Sequence, residues 1–156
     1  MAKCRYILDI RRYITLHNIF GEKGLAIAWV IAFVASLSVI FIGEVMGQVP
    51  CTLCWYQRIF MFPLAIVLGL GLWWQDSSVG RYGIVLSLAG AAIAFWHLLL
   101  FAGIIPVTIQ PCTSNGISCT GDAQLIVGLP IPALSLASFV IIGWFSYMSL
   151  KESIDV

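Results

Sequence analysis

Four uninterrupted apolar runs dictate most of what this chain can become. They are "GLAIAWVIAFVASLSVIFIG" (24–43), the stretch from Cys51 through "RIFMFPLAIVLGLGLWW" to Trp74 (51–74), "YGIVLSLAGAAIAFWHLLLFAGI" (82–104) and "IPALSLASFVIIGWFSYMSL" (131–150). Each is long enough to cross a hydrocarbon core of about 30 Å, which takes about 20 helical residues. None contains Lys, Asp or Glu, and Arg58 and His97 are the only ionisable side chains inside them besides tyrosine and cysteine. With 61% hydrophobic and 10% charged residues, the chain lies far from soluble domains, in which about 25% of residues are charged. The expected fold is an all-α membrane protein, a four-transmembrane-helix bundle forming a single membrane domain over residues 1–156. A net charge of +1 offers no general attraction to nucleic acid, and none is expected as a partner.

The few charges orient the bundle. Lys3, Arg5, Arg11, Arg12 and Lys23 precede the first run, Arg81 lies in the turn "QDSSVGR", and Lys151 follows the last run. In a four-span arrangement these seven of eight basic residues fall on one side, which the positive-inside rule assigns to the cytoplasm. Both termini are therefore expected to be cytoplasmic, with the first run as an uncleaved anchor, because Glu44 follows it in place of a small-residue cleavage site. The outer loops are then about 44–50 and 105–130. They bring Cys51, Cys54, Cys112 and Cys119 together on the outer face and leave Cys4 inside. On an oxidising surface, two cysteine pairs are expected to form disulfides or to exchange as disulfides.

The two pairs differ in setting. "PCTSNGISCT" is loop-like, rich in Pro, Gly, Ser and Thr, and its two cysteines enclose a short segment whose closure removes little chain entropy. A small exposed bridge of this kind is suited to exchange. "PCTLCWYQR", by contrast, opens a span: Pro50 suits a first helical turn, so Cys51 and Cys54 are expected at a helix N-terminus whose dipole favours thiolate. At about 100° per residue, Cys51, Cys54 and Arg58 fall within a wedge of roughly 60°. Taken alone, the Cys-x-x-Cys pair fits a static staple, half of a zinc site or redox chemistry. The second pair favours a relay between dithiols, because exchange needs only intermittent contact whereas zinc needs all four sulfurs to converge.

Arg58 lies about 10 Å inside its helix start, and His97 is expected at nearly the same depth on the third span. Intramembrane ionisable groups mark function by default, although an arginine near a helix end can also snorkel to the interface. No haem, flavin or iron–sulfur pattern is present, so a lipid-soluble quinone, menaquinone or ubiquinone, is the expected electron acceptor. Arg58 and His97 are its candidate ligands. Elsewhere, the tryptophans Trp55, Trp73 and Trp74 and Tyr82 read as interfacial anchors, and Gly69, Gly71 and "AGAA" (89–92) as places where helices approach closely.

These residues carry a family likeness. "CTLCWYQR" (51–58), "FWH" (95–97), "PCTSNGISCT" (111–120) and "IPALSL" (131–136) resemble the DsbB family of membrane thiol–quinone oxidoreductases, with its short BdbC-type members most similar. The resemblance covers about residues 24–150. It implies that an extracytoplasmic thioredoxin-like thiol oxidase of the DsbA or BdbD type, once reduced, attacks Cys112. The loop disulfide is regenerated from Cys51–Cys54, and Cys54 passes the electrons to quinone, with Arg58 and His97 matching the quinone-facing positions. The likeness implies a bacterial cytoplasmic membrane. The chain departs from the family pattern in its short Cys112–Cys119 loop, in Phe101 four residues after His97, and in Gln57 where an acidic residue precedes the arginine. The alternatives weighed are a metal-binding or disulfide-stapled assembly subunit and a quinone reductase like the vitamin K epoxide reductases.

Overall fold

A computed structural model describes residues 2–47, 50–105, 125–126 and 129–154, with side chains described for 23–47, 50–76, 78–105 and 129–151. Helix α1 (Ala2–Glu44), α2 (Thr52–Trp74), α3 (Gly80–Phe101) and α4 (Ile131–Ile154) make up nearly all of it. A 3-10 turn (Ser77–Val79) lies between α2 and α3, and a two-residue antiparallel pair, β1 (Leu125–Ile126) and β2 (Leu129–Pro130), leads into α4. The segments Lys23–Glu44, Thr52–Trp74, Gly80–Phe101 and Ile131–Lys151 are long and apolar enough to span a membrane. The four-helix membrane fold expected from the apolar runs is the fold found. Helices satisfy their own backbone groups, as hydrocarbon demands. The basic N-terminal segment is also helical, continuous with the first span within α1.

The helix ends follow local chemistry. Helix α2 begins after Cys51, whose backbone is extended (φ −68°, ψ 167°) and whose sulfur accepts a hydrogen bond from the Cys54 N–H at 3.4 Å. Cysteine thus takes the N-cap place usually held by Ser, Thr, Asp or Asn. Pro50 consequently stands before the cap, not in the first turn as the sequence suggested. At the far end Gln75 adopts the left-handed conformation (φ 55°), and Gln75 and Asp76 donate to Leu72 and Gly71 carbonyls. This pattern, a Schellman motif, is repeated at the end of α3, where Gly103 (φ 71°) donates to Leu100 and Ile104 to Leu99. Helix α2 runs through Pro63 without ending.

Each helix packs on its neighbours in the cyclic order α1–α2–α3–α4, and α4 closes the ring on α1. The core between them holds Leu25, Ala28 and Ala32 of α1, Met61, Leu64, Ala65 and Leu68 of α2, Ala94 of α3, and Phe139 and Ile142 of α4. Gly90 is what admits Phe139: a Cβ at position 90 would clash with the edge of the phenylalanine ring. Large apolar side chains such as Ile66, Val85, Leu88 and Val140 face outward, as lipid contact requires. Trp73, 84% exposed, and Trp74 and Tyr82 stand at the α2–α3 end of the bundle, at interfacial positions. A second buried cluster of Cys51, Leu53 and Leu100, with Cys54, Ile93 and Ile105 against it, closes the opposite end.

Candidate functional site

The cap at the start of α2 fixes the geometry of the cysteine pair. Because Cys51 sits just outside the helix and Cys54 one turn inside it, their sulfurs stand 2.8 Å apart in hydrogen-bond contact, both as free thiols. Cys51 is buried, at 2% exposure, and Cys54 is half-buried. The Cys51 thiol, ahead of the span, has its pKa lowered from the ordinary thiol value. The cause is first the hydrogen bond from the Cys54 thiol and then contact with His97, and together these outweigh desolvation by burial, which acts the other way. Two neighbouring thiols, one of them with a lowered pKa, are the arrangement from which a disulfide forms and re-forms by exchange.

The sequence places Cys51, Cys54 and Arg58 on one face, and the structure separates them slightly. Cys54 and Arg58 line an apolar groove of about 970 Å³ enclosed by α1, α2 and α4, with Val34, Ser38, Val39 and Phe41 on one wall and Leu134, Ser135 and Ser138 on another. Cys51, outside the helix proper, turns toward α3. Arg58 reaches across to α1, where its Nη2 donates to the Val39 carbonyl at 3.3 Å, while its guanidinium lies 5.1 Å from the Trp55 ring centroid. The guanidinium lies beside Gly43, where a Cβ would stand in ordinary contact with Nη2 at 3.5 Å. The Nε of Arg58 is buried and has no hydrogen-bond partner among the described residues. From its place on α2, Arg58 extends toward the end of α1 and the start of α2, beside Gly43 and Trp55, with one donor to spare.

His97 is not on this groove. It is fully buried on α3, its Nε2 3.9 Å from the Cys51 sulfur and its Nδ1 3.1 Å from Nε2 of Gln57. Gln57 in turn accepts a hydrogen bond from the Ser135 hydroxyl of α4 at 2.7 Å. The equal depth of Arg58 and His97 expected from the sequence therefore corresponds to two different surroundings, one facing the groove and one facing sulfur. In the sequence Gln57 stands out only as a departure from an acidic residue, and Ser135 only within the "IPALSL" motif. Their pairing depends on how α2 and α4 meet, and the one signal was the polar residue inside an apolar run. Cys112 and Cys119 lie outside the described residues.

The donor atoms of Cys51, Cys54 and His97 lie within 4.8 Å of one another, which is the spacing of a metal site. Two thiolates on one tetrahedral zinc, each bonded at about 2.3 Å, stand about 3.7 Å apart, against 2.8 Å between these sulfurs. Among the described residues the trio also has no fourth Cys, His, Asp or Glu ligand.

Comparison with known proteins gives a consistent result. Residues 22–148 match the family described as "Disulfide bond formation protein DsbB". A "Probable disulfide formation protein" of Metapseudomonas resinovorans is 51% identical over 120 residues, 76% of this chain and 83% of the relative. "Disulfide bond formation protein C" of Bacillus subtilis is 36% identical over 121 residues, covering 74% and 83% of the two chains. A "Probable disulfide formation protein" of Deinococcus radiodurans is 35% identical over 130 residues, covering 78% and 84%. No solved structure matches.

Proposed function

Since the chain belongs to the DsbB family, whose members form disulfide bonds, we propose that it is a membrane thiol oxidoreductase that transfers electrons from an extracytoplasmic dithiol oxidase to a membrane quinone. The observation that carries this reading is that Cys54 and Arg58 share the wall of one apolar groove. The residues suit a quinone there. The groove is lined by aliphatic and aromatic side chains that match an isoprenoid tail, and Arg58 Nε is a buried donor with no partner among the described residues. Bound in it, a quinone supplies the acceptor for two electrons and two protons.

The protein's own sulfurs perform the exchange. A thiolate of the reduced partner attacks Cys112, breaks the Cys112–Cys119 bond and is resolved by the partner's second thiol, so the partner leaves oxidised and the loop pair reduced. A loop thiolate then attacks Cys51 in the Cys51–Cys54 disulfide, and Cys54 leaves as thiolate on the groove wall. Closure of the loop disulfide releases Cys51, and the site holds a dithiol whose re-formation as a disulfide gives up two electrons and two protons. Arg58 stabilises negative charge beside Cys54 and donates hydrogen bonds into the groove. His97, which touches Cys51, acts on the cysteine pair.

The same reading places the termini in the cytoplasm and the four cysteines outside, in a bacterial cytoplasmic membrane. Purified protein in lipid should oxidise a dithiol partner of the thioredoxin-like class only when menaquinone or ubiquinone is added, with equivalent quinol formed. Partner oxidation that proceeds at the same rate without any quinone, or no oxidation with either, removes the proposal. Thiol labelling of single-cysteine variants from outside should reach position 112 and miss position 4; the reverse pattern would overturn the compartment assignment.

A further inference from the structure

The polar chain behind the cysteine pair has a direction. We propose that Ser135 and Gln57 hold His97 as the tautomer protonated on Nε2, which makes His97 a hydrogen-bond donor to the Cys51 sulfur and not a base for its thiol. The inference rests on the reading that Cys51–Cys54 is the exchanging pair.

The argument starts at α4. The Ser135 hydroxyl lies 2.7 Å from Gln57 Oε1, the ordinary length of an O–H···O hydrogen bond, so the amide oxygen of Gln57 is taken by that donor. The other end of the amide, Nε2, faces His97 Nδ1 at 3.1 Å. An amide nitrogen has only hydrogens to offer. For the contact to be a hydrogen bond, Nδ1 must present a lone pair, and a neutral imidazole with a bare Nδ1 carries its proton on Nε2. An imidazolium would set two donors against each other at this point in a site where His97 is 0% exposed and no water can intervene cheaply. The remaining nitrogen, Nε2, is the one that stands 3.9 Å from the Cys51 sulfur.

The polarity matters for exchange. When the loop disulfide closes, Cys51 departs as a thiolate into a buried pocket beside Leu53 and Leu100. An N–H aimed at it stabilises that leaving group, as a bare ring nitrogen could not. A carboxylate at position 57, which only accepts hydrogen bonds, would instead place a proton on Nδ1. Gln57 and Ser135 are thus positioning residues: they act on Cys51 through the ring of His97.

The test reads the tautomer directly and does not need turnover. The full chain carries two histidines, so a His17→Gln background labelled with ¹⁵N-histidine reports on His97 alone. Imidazole ¹⁵N spectra of the reduced protein in lipid should show the protonated, pyrrole-type nitrogen at Nε2 and the pyridine-type nitrogen at Nδ1. Ser135→Ala removes one small hydroxyl, leaves the apolar packing intact and should bring in the Nδ1-protonated form. Gln57→Glu should convert the ring to Nδ1 protonation outright. A pyrrole-type Nδ1 in the unaltered chain, or an unchanged tautomer in Ser135→Ala, overturns the inference. Failure of quinone-dependent turnover would remove the proposed function and leave this spectrum as it is, so the two can fail separately.

Discussion

Both ends of the bundle bury polar side chains, and they use them in opposite ways. At the α2 mouth, Cys51, His97, Gln57 and Ser135 are linked end to end across three elements, with each polar group facing another. At the far end, Ser146 and Ser149 are buried among Gly24, Gly80 and Gly83, and their hydroxyls have no hydrogen-bond partners among the described residues. There the small side chains serve close approach: a Cβ at Gly83 would come within 2.7 Å of the Ser146 hydroxyl oxygen. A polar residue in a membrane bundle is thus not by itself a sign of chemistry. The sign is a connected set that ends on a reactive atom, and the mouth has one.

The comparison breaks most readily at sulfur. Cys54→Ser should abolish quinone-dependent oxidation of the partner, because no disulfide can re-form at the site. Cys112→Ser should equally stop partner oxidation, yet leave Cys51–Cys54 oxidisable by quinone, as read by gel shift after alkylation. If either variant turns over normally, the mouth is not the place of exchange and the contrast between the ends loses its meaning.

Arg58 sharpens the comparison next. Its hydrogen bond to the Val39 carbonyl and its place on the groove predict that the planar guanidinium matters as well as the charge. A hydrogen bond to a charged group contributes roughly 1.5–3 kcal/mol, which is about a ten- to more than hundredfold effect. Arg58→Lys should therefore raise the quinone concentration needed for half-maximal turnover by that order. Arg58→Met should fall lower still, since it also removes the charge beside Cys54. An unchanged quinone requirement in both variants, at equal folding and insertion, would make Arg58 an interfacial anchor.

How far the sequence reached differs between the two ends for a physical reason. Helices that cross lipid are legible because each must be apolar along its length, and the pairing of Cys54 with Arg58 is legible because it is a repeat within one helix. The place of Cys51 was less so: its sulfur caps the helix, and that shifts the start beyond Pro50 and turns Cys51 from the groove toward α3. The contacts of His97 were out of reach, since depth along a span says nothing about which neighbour its face meets. Ser135 shows this most plainly, because its partner lies 78 residues away and only the way α4 faces α2 across the bundle joins them.

Packing between the ends gives a third, smaller effect. Gly90→Ala places a methyl in clash with the edge of the Phe139 ring, and the ring, fully buried, has to move against the core. Overpacking of this kind costs about 1–3 kcal/mol. The variant should unfold at lower temperature or denaturant in detergent, with turnover per folded molecule unchanged, because Gly90 touches neither the groove nor the cysteines. A loss of turnover without a loss of stability would show that the seam and the site are coupled.

The smallest effect is the one that tests the comparison itself. Ser146→Ala and Ser135→Ala are the same substitution on the same helix, at opposite ends. At Ser146 the hydroxyl is buried without a partner among the described residues, so its removal relieves a desolvated group and leaves a site already matched to small side chains. An unsatisfied buried polar group costs about 1–3 kcal/mol, part of which Ser146→Ala should recover, and stability should therefore be unchanged or slightly raised. Turnover and the His97 tautomer should not respond. At Ser135 the stability change should also be small, since the residue is half-exposed to the groove, but the tautomer of His97 should shift, because the donor that orients Gln57 is gone. Equal behaviour of the two variants in the ¹⁵N spectrum would mean that burial, and not connection to a reactive atom, governs both serines. A stability loss of more than about 1 kcal/mol in Ser146→Ala would instead show that its hydroxyl is satisfied in the membrane, a partner the packed bundle does not show.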